Sequence, residues 1–295
     1  MTVLSSPEDS LQKGGVISIG NFDGVHRGHT MLLKHMSRVA NERNSPSIII
    51  TFFPPAKTFF SGAKVLSTAD EKTALLNIFN PNEIIMIGFD DAYANTTKDL
   101  FVKQLKQLEP EMIIVGENFR FGFEREGTLN DLSTVAKRLE VFNLKMLDDE
   151  VISSSRIREL LSLGHIAKAN HLLGYSYSAT GKVIEGQMRG RQIGLPTANI
   201  TVSNQKALPL GVFAVYCETN FGRFKGMANV GPRPSFEDEP PSLEVHLFDF
   251  QNDLYNQEVK VEFEQFIRSQ KKFDGLDELK MQLHADARDA KNLLD

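Results

Sequence analysis

The chain has 295 residues, enough for two domains that each bury a core without disulfides or metals. Hydrophobic side chains make up 41% and charged ones 24%, which excludes collagen-like and disordered classes. Thirty-three basic against 38 acidic residues leave a net charge of −5, so a general polyanion-binding surface is excluded and phosphate recognition has to be local.

The stretch up to Gly15 carries Glu8 and Asp9 and lacks the basic and apolar regions of a secretory signal. No apolar run is long enough to span a bilayer, and the single cysteine, Cys217, excludes an internal disulfide or a multi-thiolate zinc site. These features predict a cytoplasmic protein with no nucleic-acid or membrane partner and an oligomeric state left open.

Short apolar runs alternate with amphipathic ones through the first half. Val16–Gly20, Ser47–Phe53, Glu83–Gly88, Glu111–Gly116 and Val141–Leu147 read as strands, and His29–Asn41, Ala69–Phe79, Thr97–Leu108 and Leu129–Glu140 as helices. Nearly all-apolar strands alternating with helices predict an α/β doubly wound, Rossmann-like domain with a parallel sheet. Two shorter helices, Arg156–Leu163 and His165–Leu173, follow. From Tyr175 the period changes. Ser176–Ile184, Val212–Glu218, Phe224–Val230, Ser242–Phe250 and Gln257–Arg268 read as strands between Gly, Pro and Asn turns, with a last helix over Leu276–Leu294. The second half is predicted as a small antiparallel β-barrel closed by a C-terminal helix, with the boundary between residues 174 and 175.

The first strand runs into Gly20-Asn21-Phe22-Asp23-Gly24-Val25-His26-Arg27-Gly28-His29 and then a helix. Ligands bind beyond the carboxyl ends of such strands, which makes Gly20, Asn21, Phe22, Asp23 and Gly24 candidate nucleotide contacts. The glycines do not follow the dinucleotide fingerprint, and no G-K-[ST] occurs in the chain. Instead, His26 and His29 put two imidazoles at a helix start, where amides and the macrodipole already favour an anion. Such a pair can hold phosphates and stabilise charge that grows on them. A lone histidine there would read as a helix cap; the pair after a Gly-rich loop points to catalysis.

This loop resembles the HxGH signature of nucleotidylyltransferases, and in its fuller form the N-terminal module of the bacterial bifunctional riboflavin kinase/FAD synthetases. Val115-Gly116-Glu117-Asn118-Phe119-Arg120-Phe121-Gly122 and Ile152-Ser153-Ser154-Ser155-Arg156-Ile157-Arg158 agree with that family as well. Asn118 offers an amide to ribose, base or phosphate, and Ser154, Ser155, Arg156 and Arg158 offer hydroxyls and guanidinium groups suited to a triphosphate. Where the family shows F-x-P-H-P this chain has Phe52-Phe53-Pro54-Pro55-Ala56, so Pro55 supplies no imidazole.

In the second half, Gly181, Gly186, Gly190 and Gly194 space a turn-rich segment that includes Arg191. Such a loop can bring amides close to phosphate oxygens. Thr197 and Asn199 are hard oxygen donors two residues apart on an extended segment, and suit Mg²⁺. Glu244 alternates with Leu243 and Val245, which makes it either a base for an attacking hydroxyl or a solvated charge on the outer face. Pro196-Thr197-Ala198-Asn199 is similar to the P-T-A-N motif of riboflavin kinases. Asn229-Val230-Gly231-Pro232-Arg233-Pro234-Ser235-Phe236 and Leu243–Phe250 are similar to two further motifs of those kinases.

The resemblance implies that Thr197 and Asn199 serve Mg·ATP and that Glu244 is the base toward the ribityl hydroxyl, with Arg233 a second-site binding candidate. It implies a two-step enzyme: ATP-dependent phosphorylation of riboflavin to FMN, then adenylylation of FMN to FAD. Two alternatives stand beside it: an FMN adenylyltransferase whose barrel is only a flavin-binding or regulatory module, and a flavin- or nucleotide-sensing regulator without turnover.

Overall fold

In a computed structural model that describes residues 2–143, 152–186, 194–231 and 241–295, the chain divides into two compact units, Met1–Ser154 and Ser155–Asp295. Six strands build the sheet of the first unit: β1 (Thr2–Leu4), β2 (Val16–Ile19), β3 (Ser47–Phe53), β4 (Glu83–Gly88), β5 (Met112–Gly116) and β6 (Arg138–Phe142). They are all parallel, in the order β1-β4-β3-β2-β5-β6. The chain moves outward from β2 through β3 to β4 and then crosses back to β5, so β2 lies at the topological switch point.

Side-chain alternation on the strands makes two cores. Ile17, Ile19, Ile48, Ile50, Ile85 and Val115 face one way, with Phe101 and Leu105 of α5 (Lys98–Lys106). Val16, Ile49, Ile84 and Ile114 face the other, with Leu32, Leu33 and Met36 of α1 (Arg27–Arg43) and Leu76 of α3 (Ala69–Asn77). Strands buried on both faces explain the nearly unbroken apolar runs in the sequence.

The short strand β1 and the helix α2 (Ala56–Ser61) were not expected. The helix expected over Leu129–Glu140 stops at Leu132, as α6 (Leu129–Leu132), and Arg138–Phe142 is already strand. Arg138 and Glu140 are charges of an edge strand, which reads in sequence like the polar face of a helix. Residues 144–147 of the expected strand lie outside the described residues.

The second unit opens with α7 (Ser154–Ser162) and α8 (Ile166–Leu173) and continues into a closed antiparallel barrel. Its strands are β7 (Ser178–Ile184), β8 (Ala198–Thr201), β9 (Gly211–Thr219), β10 (Gly222–Gly231), β11 (Ser242–Leu247) and β12 (Glu258–Arg268), ordered β10-β11-β8-β7-β12-β9. The contact division precedes the change of period at Tyr175 because α8 binds the barrel. Asn170 donates Nδ2–H to the Phe263 carbonyl at 2.8 Å and accepts the Tyr177 amide at 2.7 Å.

The terminal helix α9 (Leu276–Leu294) covers an outer barrel face through Ala290, Leu294, Ala214, Met227 and Phe248. Buried Asp286 on α9 accepts three hydrogen bonds from the Arg268 guanidinium, at 2.9 and 3.1 Å from Nε and 2.7 Å from Nη2, which fixes the end of β12.

β7 and β8 approach so closely that a Cβ on Gly181 would lie 2.3 Å from the Thr201 carbonyl oxygen. Gly181→Ala is expected to lower the melting temperature of the barrel unit, at a cost of about 1–3 kcal/mol, and to leave the first unit's transition in place; calorimetry checks this.

Candidate active sites

The loop from Gly20 to His26 joins the carboxyl end of β2 to α1, and it is compact because Phe22, Gly24 and Val25 all have positive φ. Phe22 folds under the loop, its ring buried, and a Cβ on Gly20 would meet that ring at 2.8 Å. The Asp23 carboxylate, also buried, accepts the Leu66 and Ser67 amides at 2.9 and 3.3 Å, and the Gly24 amide donates to the Ser67 hydroxyl at 3.2 Å. The expected nucleotide contacts Phe22 and Asp23 thus lie beneath the loop and shape it. Asn21 is exposed; its Oδ1 accepts the Ala56 amide at 3.1 Å and its backbone carbonyl accepts the Thr51 hydroxyl at 3.1 Å.

His26 caps α1 through Nδ1, which accepts the His29 amide at 3.4 Å. An accepting Nδ1 leaves the proton of the neutral ring on Nε2. The two imidazoles stack, with centroids 3.6 Å apart and planes 15° apart, and the Phe22 ring meets His29 edge-on at 5.2 Å. Burial lowers His26 to a pKa of about 4. His29 is held well below its ordinary value by burial first, then by the charges of His26 and Lys72. Both rings are therefore neutral hydrogen-bonding groups at physiological pH, in the manner of an electrophilic imidazole at a helix N-terminus. His29 Nδ1 is buried and has no hydrogen-bond partner among the described residues. An orphan of this kind costs about 1–3 kcal/mol, which a ligand oxygen can relieve.

Beside this loop is a cavity of about 250 Å³ lined by Phe52, Phe60, Phe89, Tyr93, Phe119 and Phe121, with Asn21 and Asn118 among its polar members and Lys57, Arg120, Glu124 and Arg125 as charged ones. Its aromatic walls come from the end of β3, from α2, from the residues after β4 including the short helix α4 (Asp91–Ala94), and from the segment after β5. The Tyr93 hydroxyl is buried with no hydrogen-bond partner among the described residues. Its pKa is pushed well up by burial, so it stays a neutral donor. The segment after β5 is fixed by Gly122, at φ +75°, whose missing Cβ lets the Lys98 backbone approach, and by the Phe123 amide, which donates to the Thr96 carbonyl at 2.7 Å. Nothing in a single sequence marks aromatics from separate strand ends as one pocket, although the pairs Phe52-Phe53 and Phe59-Phe60 are a trace of it.

Ser154 donates its hydroxyl to the Asp23 carbonyl at 2.9 Å. Ser155, Arg156 and Arg158 lie on α7, where Arg156 pairs with Glu159 at 3.0 Å.

In the barrel, Asn199 on β8 is the register partner of Glu244 on β11, and Glu244 is the partner of Asn229 on β10. Directly opposite residues on neighbouring strands share a face, so these three form one row. Leu243 and Val245 are buried in the barrel and Glu244 is half-buried, which puts the row on the outer side of the wall. Asn199 and Thr197 are half-buried too.

Three contacts set this row. A Cβ on Gly186 would fall 2.0 Å from the Asn199 carboxamide, so Gly186 makes room for that side chain, while Gly181 serves strand packing. His246 Nδ1 donates to the Pro196 carbonyl at 2.7 Å, which fixes the segment leading to Thr197. Gln270 Nε2 donates to Asn229 Oδ1 at 2.6 Å and to the Val230 carbonyl at 3.0 Å. Asn229 and Gln270 were not expected as members, because a cross-strand row is visible only once the register is known. Gly190, Arg191 and Arg233 lie outside the described residues.

The chain matches the family model described as FAD synthetase over residues 8–158 and that described as Riboflavin kinase over residues 173–294. A protein of Haemophilus influenzae called bifunctional riboflavin kinase/FMN adenylyltransferase is 37% identical, over 95% of this chain and 94% of its own length. The Escherichia coli (strain K12) protein of the same description is 34% identical, over 93% and 91%. The chain belongs to the bifunctional riboflavin kinase/FMN adenylyltransferase family. A solved structure described as a macrolide-efflux protein from Streptococcus pneumoniae also resembles it, with a TM-score of 0.87, 29% identity and 99% of both chains covered. Among the described residues no helix is long and apolar enough to cross a membrane.

A family member built in this way should show a pH-dependent first unit. His26 moves from 6.5 to about 4 on folding, so the unfolded state binds the extra proton and stability falls as pH drops through that interval. His26→Asn, which keeps a capping oxygen, is expected to remove on the order of 3 kcal/mol of that dependence; melting curves between neutral pH and the acid end of the interval measure it.

Proposed function

We propose that the two units carry the two activities of the family, riboflavin phosphorylation in the barrel and FMN adenylylation in the α/β unit. The observation that carries the reading is the pair of stacked, neutral imidazoles at the start of α1, set at the switch point of a parallel sheet and beside an aromatic cavity. The cavity takes the flavin ring, with the Tyr93 hydroxyl available to a polar ring atom. The FMN phosphate attacks the α-phosphorus of ATP; a P–O bond forms to FMN, the bond to pyrophosphate breaks, and FAD and pyrophosphate result. The imidazole N–H groups and the helix start stabilise charge on the phosphoryl oxygens, and no protein nucleophile is needed. Within the first unit, Asn118 and Ser154 are assigned to the nucleotide.

In the barrel, Glu244 takes the proton of the ribityl 5′-hydroxyl as that oxygen attacks the γ-phosphorus, and FMN and ADP are the products. The register that puts Asn199 opposite Glu244 supports this. The donors fit Mg²⁺: Thr197 and Asn199 offer neutral hard oxygens, and among the described residues no group of three His, Cys, Asp or Glu forms a cage of its own. That donor set suits an ion carried by the triphosphate, whose charge the ion neutralises. The substrates are thus ATP, riboflavin and FMN, and we place the protein in the cytoplasm, where they are made and used. A division near residue 174, with α7 and α8 ahead of the kinase barrel, remains our reading of the domains.

An adenylyltransferase with an inert barrel is disfavoured, because the Asn199–Glu244–Asn229 row and its supports are intact. Chromatography of flavins from riboflavin, Mg²⁺ and ATP tests the assignment. Glu244→Gln is expected to lower FMN formation at least about 100-fold while FMN is still converted to FAD, and His29→Ala to do the reverse. Loss of both steps in either folded variant would contradict two separate sites.

A further inference from the structure

Lys72 on α3 is completely buried, and nothing in its sequence surroundings marks it as special. Its ammonium donates to the Asn21 carbonyl at 2.9 Å and to the Phe52 carbonyl at 2.8 Å, and it lies 5.7 Å from the centre of the Phe53 ring. The first acceptor belongs to the loop that carries the imidazole pair; the second belongs to the end of β3 and to the wall of the aromatic cavity. The α3 end of the clasp is itself stiff. Thr68 and Glu71 form a reciprocal capping box, and Asp23 and Gly24 bind Leu66 and Ser67 just ahead of it.

We propose that Lys72 is a positioning residue for adenylyl transfer: its buried ammonium ties the Gly20–Gly24 loop to the end of β3 and sets the imidazole pair against the flavin cavity. This rests on the adenylyltransferase reading of the first unit. The route is short. Lys72 and the Thr51 hydroxyl share the Asn21 carbonyl, Asn21 Oδ1 holds the Ala56 amide, and Ala56 lines the cavity.

A structural tie alone already calls for a donor here, since an apolar side chain would take one hydrogen bond from each of two backbone carbonyls, so the positioning role is read from the pH profile rather than from stability. The charged form carries a cost here: burial lowers the Lys72 pKa to about 8, and the nearby Asp23 carboxylate opposes that shift. The same positive charge helps to keep His29 neutral. The titratable groups whose charge interacts with that of Lys72 are thus Asp23 from the loop and the His29 imidazole from α1. The imidazoles are lowered well away from the alkaline range, so loss of charge there belongs to Lys72.

The test uses the full chain, and reads kcat/KM for FMN conversion to FAD between about pH 7 and pH 9.5, with riboflavin phosphorylation in the same preparation as the control. The wild type is expected to lose adenylylation above about pH 8 as Lys72 loses its proton, while phosphorylation lacks that limb. Lys72→Met is expected to lose at least about tenfold in adenylylation, to lose the alkaline limb, and to keep phosphorylation within about twofold. A Lys72→Met protein that adenylylates at the wild-type rate with an unchanged profile overturns the proposal. Should Lys72→Met fail to fold, the wild-type profile decides: an alkaline limb confined to adenylylation supports the proposal, and a flat one overturns it. A wild-type chain that makes no FAD at any pH refutes the adenylyltransferase reading itself, which separates that failure from the failure of Lys72 alone.

Discussion

The first unit depends on how a seven-residue loop at the end of β2 satisfies its buried polar atoms. Asp23 takes two amides, Gly24 gives one to a serine hydroxyl, and the Asn21 carbonyl receives a hydroxyl and an ammonium. Each bond joins the loop to β3, to the segment before α3 or to α3 itself, and buried polar groups without such partners would carry a desolvation cost. The resulting rigidity holds His26 as the cap of α1 and stacks His29 upon it. Donors fixed in this way need no reorganisation when charge develops on a phosphoryl group.

The barrel meets a related requirement by different means. Its Asn199–Glu244–Asn229 row comes from strand register, and the supports come from the ends of elements: Gly186 yields space to Asn199, His246 ties down Pro196, and Gln270 holds Asn229. Gln270 follows the end of β12, which the buried Arg268–Asp286 pair attaches to α9. The C-terminal helix thus bears on the row although none of its own residues belongs to it. On the proposed reading, one unit would handle phosphate with neutral nitrogen donors at a helix start, and the other with oxygen donors beside a carboxylate.

Much of this was legible in the sequence, and what was legible was local. Strand-to-helix alternation, the change of period after Gly174 and the Gly-rich loop with two histidines are visible within windows of ten to twenty residues. The pairing of Asn199 with Glu244 was not, because register depends on strands far apart in the chain and β8 is only four residues long. The aromatic cavity and Lys72 escaped for the same reason, as their meaning lies in contacts such as that between α3 and the Asn21 carbonyl. Leu129–Glu140 misled because an edge strand with outward charges imitates the polar side of a helix. Phe22 and Asp23 showed the opposite limit: a motif singles out the loop but does not say which of its side chains lie underneath.

Two independent ATP-handling centres in one polypeptide leave a chemical trace that a single experiment reads. Wild-type protein is supplied with riboflavin and Mg²⁺ and, in parallel, with ATP labelled at the α- or the γ-phosphorus, and the flavin products are separated and counted. FMN should carry the γ-label alone, and FAD should carry the γ-label in its FMN half and the α-label in its AMP half. Flavin labelled from only one of the two positions by a folded chain would contradict the account, since one of the two units would then have no part in ATP chemistry.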